Sequence, residues 1–255
     1  MQIDTRSASV PESVARTVEA NVRAILDRVA RAAQRAGRKP EEITLVAVTK
    51  TFGPDKILAA SLAGVRHIGE NRVEEADSKI PVVFANLPAG QALQWHMIGH
   101  IQHRKAKQVT QLFDIVQSVD SVRLAEALNR ATLKPLPVLL EINIAREPQK
   151  FGFLALPEET FYAQVEKVLA LKNLRVRGLM TIGPQTEKPE ASALYFQQLR
   201  ELRDRLRDRY QVEWSELSMG MTADFEIAIA EGATIVRVGR AIFGERNPAG
   251  EHYAP

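Results

Sequence analysis

Lys50 closes an apolar run, Leu45-Val46-Ala47-Val48-Thr49, and a primary amine at the end of a buried strand is placed to form an imine with a carbonyl compound. At an unperturbed pKa of about 10.4, roughly a few parts in ten thousand of such an amine are free base at neutral pH, so desolvation or a neighbouring cation must raise that fraction. A second group of residues stands near the other end of the chain. Leu217-Ser218-Met219-Gly220-Met221-Thr222 and Val236-Arg237-Val238-Gly239-Arg240 each finish an apolar run with glycine, and the second leads into Ala241-Ile242-Phe243. Glycine exposes backbone N–H groups, serine adds a hydroxyl and a helix start adds a positive end, which together suit a phosphate. His96, His100 and His103 form a third pattern, whose steps of four and three would share one helical face as metal sites require. His96, however, lies within the strand-like run 93–99 and no carboxylate is near in sequence, so no metal is expected. Asp224 and Glu226 beside Thr222 read as a helix N-terminus, and Tyr162, Tyr195, Tyr210 and Tyr253 as packing residues. The chain has no cysteine, which removes disulfides, thiolate zinc sites, iron–sulfur clusters and thiol nucleophiles together.

These residues need a frame. Val14, Val18, Val22, Ile25, Val29 and Ala32 recur at helical spacing and predict a long amphipathic helix that stops at Gly37, preceded by a flexible arm over 1–12. After Pro40 eight short apolar runs predict strands at 44–49, 65–69, 93–99, 115–119, 138–144, 174–182, 214–219 and 235–238. Helical stretches lie between them, among them 55–63, 123–131, 158–171, 191–210 and 223–231. Strands that alternate with helices pair in parallel, because each return to the same end of the sheet needs a crossover. No G-x-G-x-x-G follows the first strand, and eight repeats in 255 residues fit a TIM (β/α)8 barrel better than an open doubly wound sheet. The expectation is an α/β chain in a single barrel domain with an extra N-terminal helix and a polar tail over 246–255.

Such barrels carry their chemistry at the carboxyl ends of the strands and hold phosphates in the loops after strands seven and eight. Lysine after strand one and a phosphate cradle after strands seven and eight specify a phosphorylated carbonyl compound, either a sugar phosphate in a Schiff-base aldolase or pyridoxal phosphate (PLP). Composition narrows the partners. A hydrophobic share of 45% with 25% charged residues describes a soluble globular chain, and 34 basic against 31 acidic residues give a net +3 without a nucleic-acid or membrane footprint. Between Arg200 and Arg209 the arginines alternate with Glu201, Asp204 and Asp208, as on a solvated, salt-bridged helix face. No apolar run reaches the roughly 18 residues of a membrane helix, and Asp4, Arg6 and Glu12 interrupt any signal-peptide core, so a cytoplasmic location is expected.

The ordered pieces also carry a resemblance. Ala47-Val48-Thr49-Lys50, Ile68-Gly69-Glu70-Asn71-Arg72-Val73, Trp95-His96-Met97-Ile98-Gly99-His100-Ile101-Gln102, Glu141-Ile142-Asn143-Ile144 through Lys150-Phe151-Gly152, and Arg177-Gly178-Leu179-Met180-Thr181 are followed by Leu217-Ser218-Met219-Gly220-Met221-Thr222-Ala223-Asp224-Phe225-Glu226 and by the run from Val236 to Gly244. The set resembles the pyridoxal phosphate homeostasis protein family, whose barrel is similar to the N-terminal domain of alanine racemase. The resemblance implies that Lys50 carries the PLP imine, that Ser218 with the backbone of Gly239 and Arg240 holds the phosphate, that Arg237 faces the pyridine nitrogen and that Asn71 lines the pocket near the ring. Ala145 stands where many members have glycine, and Arg240 where many have serine or threonine. An arginine can only donate, so the ring stays neutral and is a weak electron sink. Racemases of this barrel type take a further acid/base group from another domain, and the expectation here is a PLP carrier, with apo PLP-dependent enzymes as its acceptors. The alternatives are a PLP-dependent amino-acid racemase or decarboxylase and a Schiff-base aldolase.

Overall fold

A computed structural model describes residues 10–184 and 189–245. Tyr253, most of the arm and the tail lie outside the described residues. The first helix, α1 (Glu12–Arg35), buries Val18, Val22, Ile25, Val29, Ala32 and Ala33, as its spacing predicts, and begins at the last residue given to the arm. Eight strands follow: β1 (Thr44–Val48), β2 (His67–Glu70), β3 (Gln94–Met97), β4 (Ile115–Val119), β5 (Leu136–Glu141), β6 (Leu174–Met180), β7 (Glu216–Ser218) and β8 (Ile235–Val238). They pair in parallel in sequence order and close, β8 against β1, into a barrel. The crossovers carry α2 (Pro54–Leu62), α3 (Val73–Asn86), α4 (Ala106–Leu112), α5 (Val122–Ala131), α6 (Glu158–Leu169), α7 (Ala193–Tyr210) and α8 (Phe225–Ala230), and the four-residue α9 (Arg240–Phe243) follows β8.

Most apolar residues pack between the strands and the surrounding helices, whereas Val46, Leu139, Met180 and Ile235 form a separate small cluster. Helix α1 docks on the side where the barrel closes. Asn21 Nδ2 donates to the Ile242 carbonyl at 2.9 Å, and Arg28 reaches Glu226 at 3.3 Å. The acidic-basic face of α7 pairs as its sequence suggests, Arg203 with Asp204 at 2.7 Å and Arg200 with Glu231 at 3.4 Å.

Element edges move where side chains compete with the ladder. The predicted fifth strand runs to 144, but β5 ends at Glu141. The Asn143 side chain there donates to the carbonyls of Glu147 and Lys150 and accepts from the Glu147 N–H, which turns the chain into a loop. Thr222 does not head α8. Asp224 occupies that position, and its carboxylate accepts backwards from the Met221 N–H at 2.7 Å.

Candidate functional site

Lys50 stands just past β1, partly buried, on a turn closed by the Phe52 N–H donating to the Thr49 carbonyl at 3.1 Å. Thr51 in that turn has φ 72°, a left-handed conformation that is strained for a β-branched residue and persists only when the surroundings enforce it. The enforcement is a buried ionic cluster. Lys79, wholly buried on α3, donates to the Thr49 carbonyl at 3.0 Å and to Glu70 Oε1 and Glu75 Oε2 at 2.9 Å each. Glu75 Oε2 also accepts from the Thr51 N–H at 2.8 Å, and Glu70 Oε1 from the Thr49 hydroxyl at 2.7 Å. Burial raises the Glu70 carboxyl above its ordinary range against the opposing pull of Lys79, and its Oε2 has no partner among the described residues. Burial pushes on Glu75 too, but the Thr51 N–H and Lys79 outweigh it and hold that carboxyl low. The backbone on both sides of Lys50 is thereby tied to one buried ammonium.

Arg237 rises from β8, the strand that pairs with β1, where it lies opposite Val46. It is 4% exposed, and its Nη1 donates to Ser218 Oγ while Nη2 donates to the Thr181 carbonyl at 2.7 Å. Burial lowers its pKa to about 10, with Glu141 and Asp224 acting in the other direction, so it remains a cation at neutral pH. The resemblance gives the Ser218 hydroxyl to a phosphate. In the structure that hydroxyl is wholly buried, accepts from Arg237 and donates to Gln117 Oε1 at 2.7 Å.

The glycines around these strand ends permit close approach. Gly220 has φ +89°, and a Cβ there would stand 2.5 Å from that of Ala228. Its carbonyl accepts from the Arg237 N–H at 3.0 Å, which joins the β7 and β8 ends. Gly239 lies against the Val48 carbonyl oxygen and precedes α9, whose first N–H groups have no partner within the helix. Arg240 is exposed.

Asn71 follows β2 and its backbone packs on Gly99, where a Cβ would come within 2.3 Å of the Asn71 carbonyl oxygen. Its Oδ1 is buried with no hydrogen-bond partner among the described residues. Asn71 lines a cavity of about 200 Å³ together with His100, Glu141, Lys150 and Phe151. Glu141 closes β5 in this cavity; burial, with help from Asp120 and against Arg237, raises its carboxyl to about 7. Sequence reasoning did not single out Glu141, Gln117 or Lys79. Their signals were a polar residue within or just ending a strand run and a lysine on the apolar side of α3.

The three spaced histidines diverge. His96 sits in the barrel interior between His67 and Gln117, His100 stacks on Phe151 with ring centroids 3.6 Å apart and meets Asp120 at 2.8 Å, and His103 lies 3.0 Å from Arg123. Among the described residues no group of three or more His, Asp or Glu is placed to hold a metal ion, and no helix is long and apolar enough to cross a membrane. Tyr162 and Tyr210 pack together between α6 and α7 under Arg209.

The barrel with a lysine after its first strand and an arginine in its last belongs to a known class. The family model of the alanine racemase N-terminal domain matches residues 20–247. An alanine racemase of Clostridium difficile has the same fold with a TM-score of 0.69 at 13% identity, covering 92% of this chain and 62% of that one. Within that class the relatives are more particular. A pyridoxal phosphate homeostasis protein of Aquifex aeolicus is 39% identical over 225 residues, 87% of this chain and 95% of that protein. PipY of Synechococcus elongatus, solved with PLP bound, is 34% identical with a TM-score of 0.73, covering 85% of this chain and all of that one. The chain belongs to the pyridoxal phosphate homeostasis protein family.

Proposed function

We propose that this chain is a PLP-binding protein of PLP homeostasis that holds the cofactor through a Schiff base to Lys50 and has no substantial amino-acid turnover. The observation that carries this reading is the pairing of β1 with β8, which brings an amine on a strained, clamped turn to the same mouth as a buried, permanently charged guanidinium. The residues fit the group. Asn71 Oδ1 is a buried acceptor without a partner among the described residues, Arg237 uses two of its five N–H donors on Ser218 and Thr181, and the N–H groups at Gly239 and Arg240 face no intrahelical acceptor. Lys50 would supply the amine, Arg237 the donor toward the ring nitrogen, Asn71 a wall beside the ring, and the Gly239 and Arg240 backbone the phosphate contact, with Ser218 serving through Arg237. When bound, PLP supplies an electrophilic carbonyl carbon conjugated to an electron-withdrawing ring. The guanidinium, which can only donate, would leave the ring nitrogen an acceptor and the ring a weaker electron sink. Cytoplasmic location and delivery to apo PLP-dependent enzymes complete the proposal.

Borohydride reduction of the PLP-treated chain, followed by intact mass and peptide mapping, tests it. One phosphopyridoxyl group on Lys50 is expected, with none on the Lys50→Ala chain. Label on Lys56 or Lys105 instead refutes the assignment. Equal affinity for pyridoxal and PLP, or a Gly239→Val chain with unaltered binding, removes the phosphate contact from these strands. Racemisation or decarboxylation of an amino acid at about one turnover per second or faster, lost in Lys50→Ala, replaces the carrier with the enzyme alternative.

A further inference from the structure

One chain of polar side chains crosses the barrel interior from the last strand to the second. Arg237 Nη1 donates to Ser218 Oγ, which donates to Gln117 Oε1 at 2.7 Å. Gln117 Nε2 lies 2.8 Å from His96 Nδ1, and His96 Nε2 lies 3.0 Å from His67 Nδ1. Arg237, Ser218, Gln117 and His96 are all at most 4% exposed, so water completes none of these bonds.

The first link decides the direction of the rest. A guanidinium has no acceptor, so Ser218 Oγ accepts from it. Among the described contacts only Gln117 receives the serine proton, which turns the carboxamide oxygen toward Ser218 and its NH2 toward the histidine. An NH2 group cannot accept, so His96 Nδ1 carries a lone pair, and a neutral His96 then holds its hydrogen on Nε2 and donates to His67 Nδ1. Burial depresses His96 to about 3 and lowers His67 as well, so both rings are neutral at pH 7. The opposite polarity, with the carboxamide reversed, leaves the Ser218 hydroxyl with no acceptor in a dry position, an unmade hydrogen bond that nothing in the chain offsets.

We propose that Gln117 and His96 are positioning residues, which fix the Ser218 hydroxyl as an acceptor for Arg237 and so hold the guanidinium in one place and one orientation for the cofactor ring. This rests on the reading of Arg237 given under the proposed function. It also means that the Ser218 hydroxyl has no donor left for a phosphate. The interior of this barrel is therefore part of its binding machinery rather than filler, and the apolar cluster of Val46, Leu139, Met180 and Ile235 occupies only a portion of the interior.

The test uses the full chain labelled with ¹⁵N in histidine. Without PLP, at pH 7, His96 is expected to show the neutral tautomer protonated at Nε2. In Gln117→Glu the new carboxylate can only accept, and the His96 proton is expected to move to Nδ1. A wild-type His96 that is an imidazolium or carries its proton on Nδ1, or a Gln117→Glu chain with an unmoved proton, overturns the polarity. PLP is then titrated into the chains and fixed with borohydride. Gln117→Leu and Ser218→Ala are each expected to weaken PLP binding by about tenfold, while Gln117→Glu, which keeps an acceptor for Ser218, stays within about threefold of wild type. Label remains on Lys50 in all of them. Wild-type affinity in both Gln117→Leu and Ser218→Ala overturns the positioning role even if the tautomer is as expected. A wild-type chain that takes no PLP on Lys50 refutes the functional reading and the positioning role with it, whereas the histidine spectrum still reports the polarity by itself.

Discussion

Two buried polar assemblies support the two sides of the barrel mouth, and they are built on opposite principles. Behind Lys50, the cluster of Lys79, Glu70 and Glu75 is ionic: one ammonium spends its donors on two carboxylates and the Thr49 carbonyl. Behind Arg237, the chain through Ser218, Gln117, His96 and His67 has no charge beyond the arginine itself. The ionic cluster fixes a backbone, because an ammonium without directional preference can gather several oxygens around one strained turn. The neutral chain fixes a direction, because each link is a donor on one side and an acceptor on the other. A buried ion pair fails badly when one partner is lost, whereas a neutral chain loses about one bond at a time.

Substitutions sharpen that contrast. Lys79→Met removes the only ammonium among the cluster contacts and leaves two carboxylates facing each other, so a loss of about 3–5 kcal/mol is expected in chemical denaturation. A loss below about 1 kcal/mol would show that the cluster is not ionic in effect. Glu141, at the end of β5, has its carboxyl raised from 4.5 to about 7. The folded chain therefore holds this proton more tightly than the unfolded one, so the stability it contributes is full below the unfolded value and is lost as pH rises through about 7. Glu141→Gln is expected to flatten the stability profile between about pH 5 and pH 8 and to gain on the order of 3 kcal/mol at the upper end. An unchanged profile would place the titration elsewhere.

In the neutral chain, Gln117→Leu strands the Ser218 hydroxyl and is expected to cost about 2 kcal/mol, with little dependence on salt. A cost as large as that of Lys79→Met would show that the neutral chain is as intolerant of a lost member as the ionic cluster. Arg207, whose contact with Asp204 at 3.7 Å is half exposed, gives the smallest effect. Arg207→Ala is expected to change stability by less than about 0.5 kcal/mol, and the melting of this variant sets the baseline for the other three.

Much of the architecture was legible because periodicity is local. The β4 run was bounded by Asp114 and Asp120 and the β8 run was ended by Gly239, and α1 was written in Val18, Val22, Ile25 and Val29. Lys50 was legible for the same reason, as a charged residue that closes an apolar run, whereas Arg237 entered only through the family resemblance. The end of β5 was harder to read, since Asn143 uses its side chain to terminate a run that hydrophobicity alone extends. The histidine spacing carried no site for a different reason. Steps of four and three converge only on a helix, and here His96 is on a strand, His100 in the following loop and His103 in a helical turn, so three neighbours in sequence face three different environments.

The sequence by itself determined the alternation of strands and helices, the closure class, the amine at the end of β1 and the family to which the chain belongs, because those depend on residue type and spacing within short windows. Only the tertiary structure decided which way the Ser218 hydroxyl points, which lysine clamps the turn at Lys50, and that Gln117 and His96 belong to the Arg237 assembly. Ser218 and Gln117 are 101 residues apart in the chain, and Arg237 reaches Thr181 across 56. A hydrogen bond has a donor, an acceptor and a direction, and none of these is set until barrel closure brings strands that are remote in sequence within about 3 Å of one another.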